Sequence, residues 1–194
     1  MENIILVGIK HCGKSTLGKL LAKKINAEFF DTDDLILKQT GKTCRQIYKE
    51  KGEEAFMTSE KKACTYLIKK IQTENIKAVI ATGGGICNNP EAFNELKNSG
   101  KIVFLQVEES VAFKRIMNEA RIDPDGTLGN LPAFIAKKNP KNIEDAKNIF
   151  HDFYVERSSL YEQMCDIKIN ISQEGKELSV QKILAATATA TATA

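Results

Sequence analysis

The sequence lacks any strong charge excess, any long apolar run and any paired cysteines, and each absence removes a class of function. Lys and Arg number 28 against 25 Asp and Glu, a formal charge of only +3. A broad basic face for nucleic acid is therefore not supported. No apolar stretch approaches the roughly 20 residues that a membrane crossing needs, so no membrane partner is expected. The opening MENIILVGIK carries an acid at position 2 and only a short apolar run, Ile4 to Val7. It reads as a first strand rather than a secretion signal. The five cysteines (Cys12, Cys44, Cys64, Cys87, Cys165) form no C-x-x-C pair, and His11 and His151 lie beside no matching thiols. A zinc site and a disulfide frame are both disfavoured, and reduced thiols of a cytosolic protein are the expectation. No internal repeat of roughly 20–50 residues is present.

What is present fits one globular domain. The 194 residues are 42% hydrophobic and 27% charged, values wrong for a disordered chain. Short apolar runs alternate with helical periodicities, which predicts parallel βαβ units. Strands are expected at Ile4–Val7, Ala27–Phe30, Lys77–Ala81, Ile102–Leu105 and, more weakly, Ile167–Ile171. Thr43 and Gln46 have the spacing of a capping box, and Gly52 can end the short helix they open. Beyond it Phe56, Cys64, Leu67, Ile68 and Ile71 share one face of a longer helix. Further helices are expected near 90–98, 109–120 and 141–164. Residues 122–130 are dense in turn formers and read as a mobile loop. The domain is expected to span residues 1–184, with a lid at about 116–140. The Ala/Thr stretch 185–194 reads as a frayed tail.

The most specific pattern is Gly8-Ile9-Lys10-His11-Cys12-Gly13-Lys14-Ser15-Thr16, a G-x-x-x-x-G-K-[ST] loop between an apolar strand and an amphipathic helix. Its glycines let successive N–H groups turn toward phosphate oxygens, and the following helix aims its positive end at the same place. Gly8, Cys12, Gly13, Lys14, Ser15 and Thr16 are the expected nucleotide-binding residues, although no side-chain chemistry is assigned to His11 or Cys12. Lys14 would reach the β- and γ-phosphates of ATP, and the Ser15 hydroxyl would ligate Mg²⁺. No guanine-reading Asn-Lys-x-Asp motif or switch region follows, which favours a small-metabolite or nucleotide kinase over a GTPase or a motor.

Two further segments follow strands directly. Asp31-Thr32-Asp33-Asp34 falls at a carboxyl end of the sheet, where α/β folds bind ligands. One acid there can hold Mg²⁺ and another can orient an attacking hydroxyl; alternatively Asp33 or Asp34 caps the next helix. Thr82-Gly83-Gly84-Gly85 carries three glycines, whose entropic cost is explained by a ligand at bare backbone or by a tight turn.

With these motifs in place the chain resembles the shikimate kinase family. The P-loop is followed by Phe29-Phe30-Asp31-Thr32-Asp33, then Gly52-Glu53-Glu54-Ala55-Phe56 with Glu60, then Gly83-Gly84-Gly85, then Arg157-Ser158-Ser159-Leu160-Tyr161, in the family's order over residues 3–171. The resemblance implies transfer of the ATP γ-phosphoryl group to the 3-hydroxyl of shikimate. Asp33 would orient the nucleophile, Asp31 would support Mg²⁺, and the Gly83–Gly85 backbone would meet the substrate ring. Arg157 would grip the substrate carboxylate through a bidentate fork. Arg121 would be the lid arginine at the transferring phosphate, and Arg115 would lie along the adenine.

Two departures stand out. Met57 occupies the position of an arginine that shares the substrate carboxylate in the family. Losing a charge-assisted contact of about 1.5–3 kcal/mol weakens binding by roughly ten- to a hundredfold, and Lys61, one turn on, is the candidate replacement. The lid reads Arg121-Ile122-Asp123-Pro124 where the family has Arg-Pro-Leu-Leu, and extra residues at 128–141 separate Arg121 from Arg157. The expected protein is thus a three-layer α/β P-loop kinase with a five-stranded parallel sheet, using ATP and Mg²⁺, monomeric and without nucleic-acid or membrane partners. The alternatives are a kinase for another small hydroxylated metabolite and a catalytically silent nucleotide-binding regulator.

Overall fold

The apolar run near the start of the chain forms β1 (Asn3–Val7), in which Ile5, Leu6 and Val7 are fully buried. In this computed structural model, which describes residues 2–122, 127–171 and 175–189, β1 leads through the glycine-bearing loop into α1 (Lys14–Lys24). Then come β2 (Glu28–Asp31), α2 (Thr32–Thr40), α3 (Cys44–Thr73) and β3 (Ala78–Ala81). A single 3-10 turn at Ile86–Asn88 precedes α4 (Pro90–Lys97), β4 (Gly100–Val107) and α5 (Glu109–Glu119). After the short strands β5 (Arg121–Ile122) and β6 (Leu128–Gly129) come α6 (Ala133–Ala136), α7 (Ile143–Met164), β7 (Ile167–Ile171) and α8 (Lys176–Thr189).

The main sheet has the order β2-β3-β1-β4-β7 and every pairing in it is parallel. Helices cover both faces, which is why the central strands read as unbroken apolar runs rather than alternating ones. Ile5 stands opposite Ile80 on one side and Ile102 on the other. From β1 the chain crosses to the edge strand β2, returns to β3 beside β1, and then crosses β1 to β4 and β7, so the connections leaving β1 and β3 run in opposite directions and the order reverses between these two neighbours. In open α/β sheets that is where ligands bind, beyond the carboxyl ends of the strands.

Local expectations translate directly. Thr43 and Gln46 form the reciprocal capping box of α3, and Gly52, with φ of 84°, breaks that helix into two. In its second half Cys64, Leu67, Ile68 and Ile71 face the main core. A smaller core of Ile36, Ile47 and Ala63, with Phe56 and Cys44 packed against it, joins α2 to α3.

Two expectations are corrected. The stretch 122–130 is not one loop, because Ile122 and Leu128 pair in an antiparallel hairpin. Residues 123–126, including the Asp123 and Pro124 of the altered lid motif, lie outside the described residues. Leu131 and Ile135 beyond the hairpin are buried, and Phe134 stacks on Phe153 of α7 at 3.6 Å between ring centroids. The expected tail is likewise helical as far as Thr189, with residues 190–194 outside the described set. Helix α8 starts at Lys176 and buries Val180 and Ile183, and Ala prolongs such a helix at little cost. The Thr187 and Thr189 hydroxyls donate to carbonyls one turn back, the usual way a helical threonine is satisfied. Among the described residues no helix is long and apolar enough to cross a membrane.

Candidate active site

The loop between β1 and α1 is shaped by its glycines. Gly8 has φ of 142°, and a Cβ there would sit 2.7 Å from the Leu105 carbonyl oxygen. Gly13, also left-handed, is the N-cap of α1 and supplies no side-chain acceptor, so the first N–H groups of the helix face outward toward a ligand. A cavity of about 720 Å³ opens there, lined by Lys14, Ser15, Asp31, Asp33, Gly84 and Arg115, with Cys12, Gly13 and Thr16 along its floor. Lys14 is buried, and its Nζ donates to the carbonyls of Gly8 at 2.8 Å and Ile9 at 2.9 Å. Arg115 closes the other side of the loop by donating to the His11 carbonyl at 2.6 Å. Burial lowers the pKa of His11, against the pull of nearby Glu119.

Asp31 joins two of the strand ends. Its Oδ2 accepts from the Ser15 hydroxyl at 2.6 Å, and its Oδ1 accepts from the Asp33 N–H at 3.0 Å. The cap of α2 is therefore Asp31, and neither Asp33 nor Asp34 fills that role. The reason is backbone position, since Asp31 ends β2 in an extended conformation while Asp33 is already helical. Asp33 is thereby left to face the cavity. Burial raises its pKa, the negative charge of Asp31 adds to that rise, and the Cys44 thiol and Lys14 oppose it. Ser15 and Asp31 are hard oxygen donors, side by side at the cavity, and suit Mg²⁺ with phosphate and water completing its shell. No group of three or more His, Cys, Asp or Glu fit to hold a metal exists among the described residues.

The second glycine loop packs against Asp33, Glu60 and the P-loop. Gly83 N–H donates to the Thr32 hydroxyl at 3.0 Å. A Cβ on Gly83 would lie 2.9 Å from Asp33 Oδ1 and 3.3 Å from Glu60 Oε1, and one on Gly84 would lie 2.7 Å from the Lys10 nitrogen. Glu60, whose place in the motif beside Phe56 carries no role by itself, becomes a functional candidate in the fold. It is 1% exposed, its Oε2 accepts from Asn89 Nδ2 at 2.9 Å, and its Oε1 has no partner. Burial raises its pKa to about 7, with the charge of Asp33 adding and the Asn89 bond opposing. The signal was a carboxylate set on the apolar stripe of Phe56, Cys64 and Leu67.

The arginines are placed unequally. Arg157 donates to Cys87 Sγ at 3.0 Å, two residues past Gly85, and its guanidinium stands 5.1 Å over the Phe153 ring. Its Nε is buried without a partner. Arg157 thus stands at the exit of the glycine loop, steadied by an aromatic stack that includes Phe134. Arg121 opens β5, is exposed, and does not line the cavity. Lys61 does not line the cavity that holds Asp33. It pairs with Glu91 and, with Met57, lines a different cavity between α3 and the start of α4. The segment after the hairpin is tied to α3 by Arg45, which donates to Asn130 Oδ1 at 3.1 Å and the Leu131 carbonyl at 2.6 Å.

Comparison with known proteins agrees with this geometry. A family model described as shikimate kinase matches residues 10–188. A shikimate kinase of Sulfurihydrogenibium sp. is 33% identical over 184 residues, covering 95% of this chain and 96% of the relative. One of Caldicellulosiruptor saccharolyticus is also 33% identical, covering 95% and 94%. Among solved structures, the shikimate kinase of Acinetobacter baumannii in complex with shikimate superposes with a TM-score of 0.73 at 27% identity, covering 95% of this chain and 91% of that one. The enzyme of Bacteroides thetaiotaomicron gives 0.75 at 26% identity, covering 95% and 97%.

Proposed function

The chain belongs to the shikimate kinase family, and on that premise we propose that it transfers the γ-phosphoryl group of ATP to the 3-hydroxyl of shikimate, releasing ADP and shikimate 3-phosphate. The observation that carries the reading is the gathering of Lys14, Ser15, Asp31, Asp33 and Gly84 around one cavity at the carboxyl ends of β1, β2 and β3. A regulator that only bound nucleotide would have no use for Asp33 there.

The N–H groups of the P-loop and the start of α1 hold the triphosphate, with Lys14 at the β- and γ-phosphates. Ser15 and Asp31 would hold Mg²⁺, which when bound spreads the negative charge of those phosphates. Asp33 accepts the proton of the acceptor hydroxyl as the oxygen bonds to phosphorus and the bond to ADP breaks. Gly83–Gly85 present bare backbone to the ring, and Arg157 takes the carboxylate through its planar fork. Arg115 lies along the base, and Arg121 reaches the transferring phosphate when the hairpin region covers the site. Catalysis is positioning and charge neutralisation rather than covalent chemistry. The protein acts as a cytoplasmic monomer on small molecules.

Met57 favours one second reading, a kinase for a different small hydroxylated acid. With Lys61 paired to Glu91, the carboxylate grip of this reading falls to Arg157. A coupled assay of ADP release with shikimate beside other polyols and hydroxy acids decides. Saturable turnover of shikimate is expected; turnover of another acceptor alone supports the second reading, and ATP binding without turnover overturns both.

A further inference from the structure

Glu60 is buried to 1% exposure and its Oε1, unpartnered, is directed at the same glycine as Asp33 Oδ1. Of the groups around it only Asn89, through its bond to Oε2, favours a second charge, and burial and Asp33 oppose one. Asp33 faces it from α2, Asn89 from the start of α4, and the thiols of Cys44 and Cys64 from α3. Both thiols are pushed up by burial, Cys64 to about 12, so neither carries charge of its own near neutrality. The residue three positions before Glu60, which would lie beside it on the helix surface, is the apolar Met57. Lys61 is turned to Glu91.

From this arrangement we infer that Glu60 is a positioning residue of the acceptor site that works in its neutral form, so that of the two carboxyl groups that meet Gly83 Asp33 alone is charged. The carboxyl proton does no chemistry of its own. It keeps a second anion away from an acceptor that is itself an anion, so the inference rests on the acceptor bearing a carboxylate. The burial-raised pKa of about 7 puts loss of that proton within reach of ordinary pH. By linkage, an anionic acceptor that binds better to the neutral form must raise the Glu60 pKa as it binds, and its own affinity must fall as pH rises.

The test compares the parent with Glu60→Gln, an uncharged mimic of the protonated side chain. The KM for shikimate at saturating ATP is measured from pH 6 to pH 9. Side-chain carboxyl resonances of the chain labelled with ¹³C-glutamate are titrated in parallel without acceptor. One glutamate is expected to titrate near neutrality and to vanish in Glu60→Gln. The parent's KM is expected to climb across the same range, about tenfold for each unit by which binding raises the Glu60 pKa, and to stay flat in the variant. Met57→Arg, which sets a cation one turn away, is expected to move the resonance down toward the ordinary carboxylate range. A Glu60 that titrates with the bulk of the glutamates, or a KM that climbs equally in the variant, overturns the inference. If shikimate is not turned over, the proposed function fails, and the titration still decides whether Glu60 holds its proton.

Discussion

Asp31 and Ser15, sixteen positions apart in the chain, are joined by a 2.6 Å hydrogen bond from the serine hydroxyl to the aspartate Oδ2. The same carboxylate caps α2 with its other oxygen, so one side chain sets both the proposed metal site and the helix that carries Asp33. Asn caps a helix about as well as Asp. Asp31→Asn is therefore expected to keep its melting temperature while the Mg²⁺ concentration for half-maximal rate rises by about tenfold, the effect of losing about 1.4 kcal/mol of binding. An unchanged Mg²⁺ dependence removes Asp31 from the metal site.

Lys14→Ala removes the cation proposed for the β- and γ-phosphates. Loss of one such transition-state donor is expected to lower kcat by about 10²–10³, with circular dichroism unchanged. Full activity in that variant would contradict the proposed phosphate site at its centre.

The three glycines of the second loop are predicted to be unequal. A methyl on Gly84 would press on the Lys10 backbone, whereas one on Gly85 meets nothing within 4 Å. Gly84→Ala is expected to displace the P-loop, to destabilise by about 1–3 kcal/mol and to weaken ATP binding. Gly85→Ala should behave as the parent in both urea unfolding and ATP titration. Equal effects from the two would mean the loops are not in contact as described.

Arg157→Lys keeps the charge and loses the fork. The KM for shikimate is expected to rise roughly ten- to a hundredfold, the equivalent of about 1.5–3 kcal/mol, while the KM for ATP stays put. A steady-state series with each substrate varied in turn checks this.

Glu60 also predicts a pH dependence of stability. Its pKa is raised on folding from the ordinary 4.5 to about 7. A raised acid pKa means that the folded state holds a proton the unfolded chain releases. The contribution is full below about pH 4.5 and is lost as pH rises to and through about 7. Urea midpoints of the parent are therefore expected to fall relative to those of Glu60→Gln across that window and to run parallel above it. Parallel curves throughout would show that Glu60 is ionised in the folded protein.

The elements legible in the sequence are those whose cause is local. A P-loop needs its glycines and lysine at set spacing, a strand buried on both faces must be continuously apolar, and a capping box declares itself in four residues. These determined the parallel sheet, α1, the two halves of α3 and about half of the residues around the cavity, those of the P-loop, the end of β2 and the glycine loop among them. Tertiary structure alone decided what depends on a partner distant in the chain. Asp31 rather than Asp33 became the helix cap because of where β2 ends, and Lys61 found its partner in Glu91 of α4. Phe134 and Leu131 acquired a core only when α7 came beside them, and α8 acquired one against the rest of the domain. Glu60 looked like any helical carboxylate until folding stripped it of water and set it against Asp33, because solvation and charge pairing are properties of a place in space and not of a position in the chain.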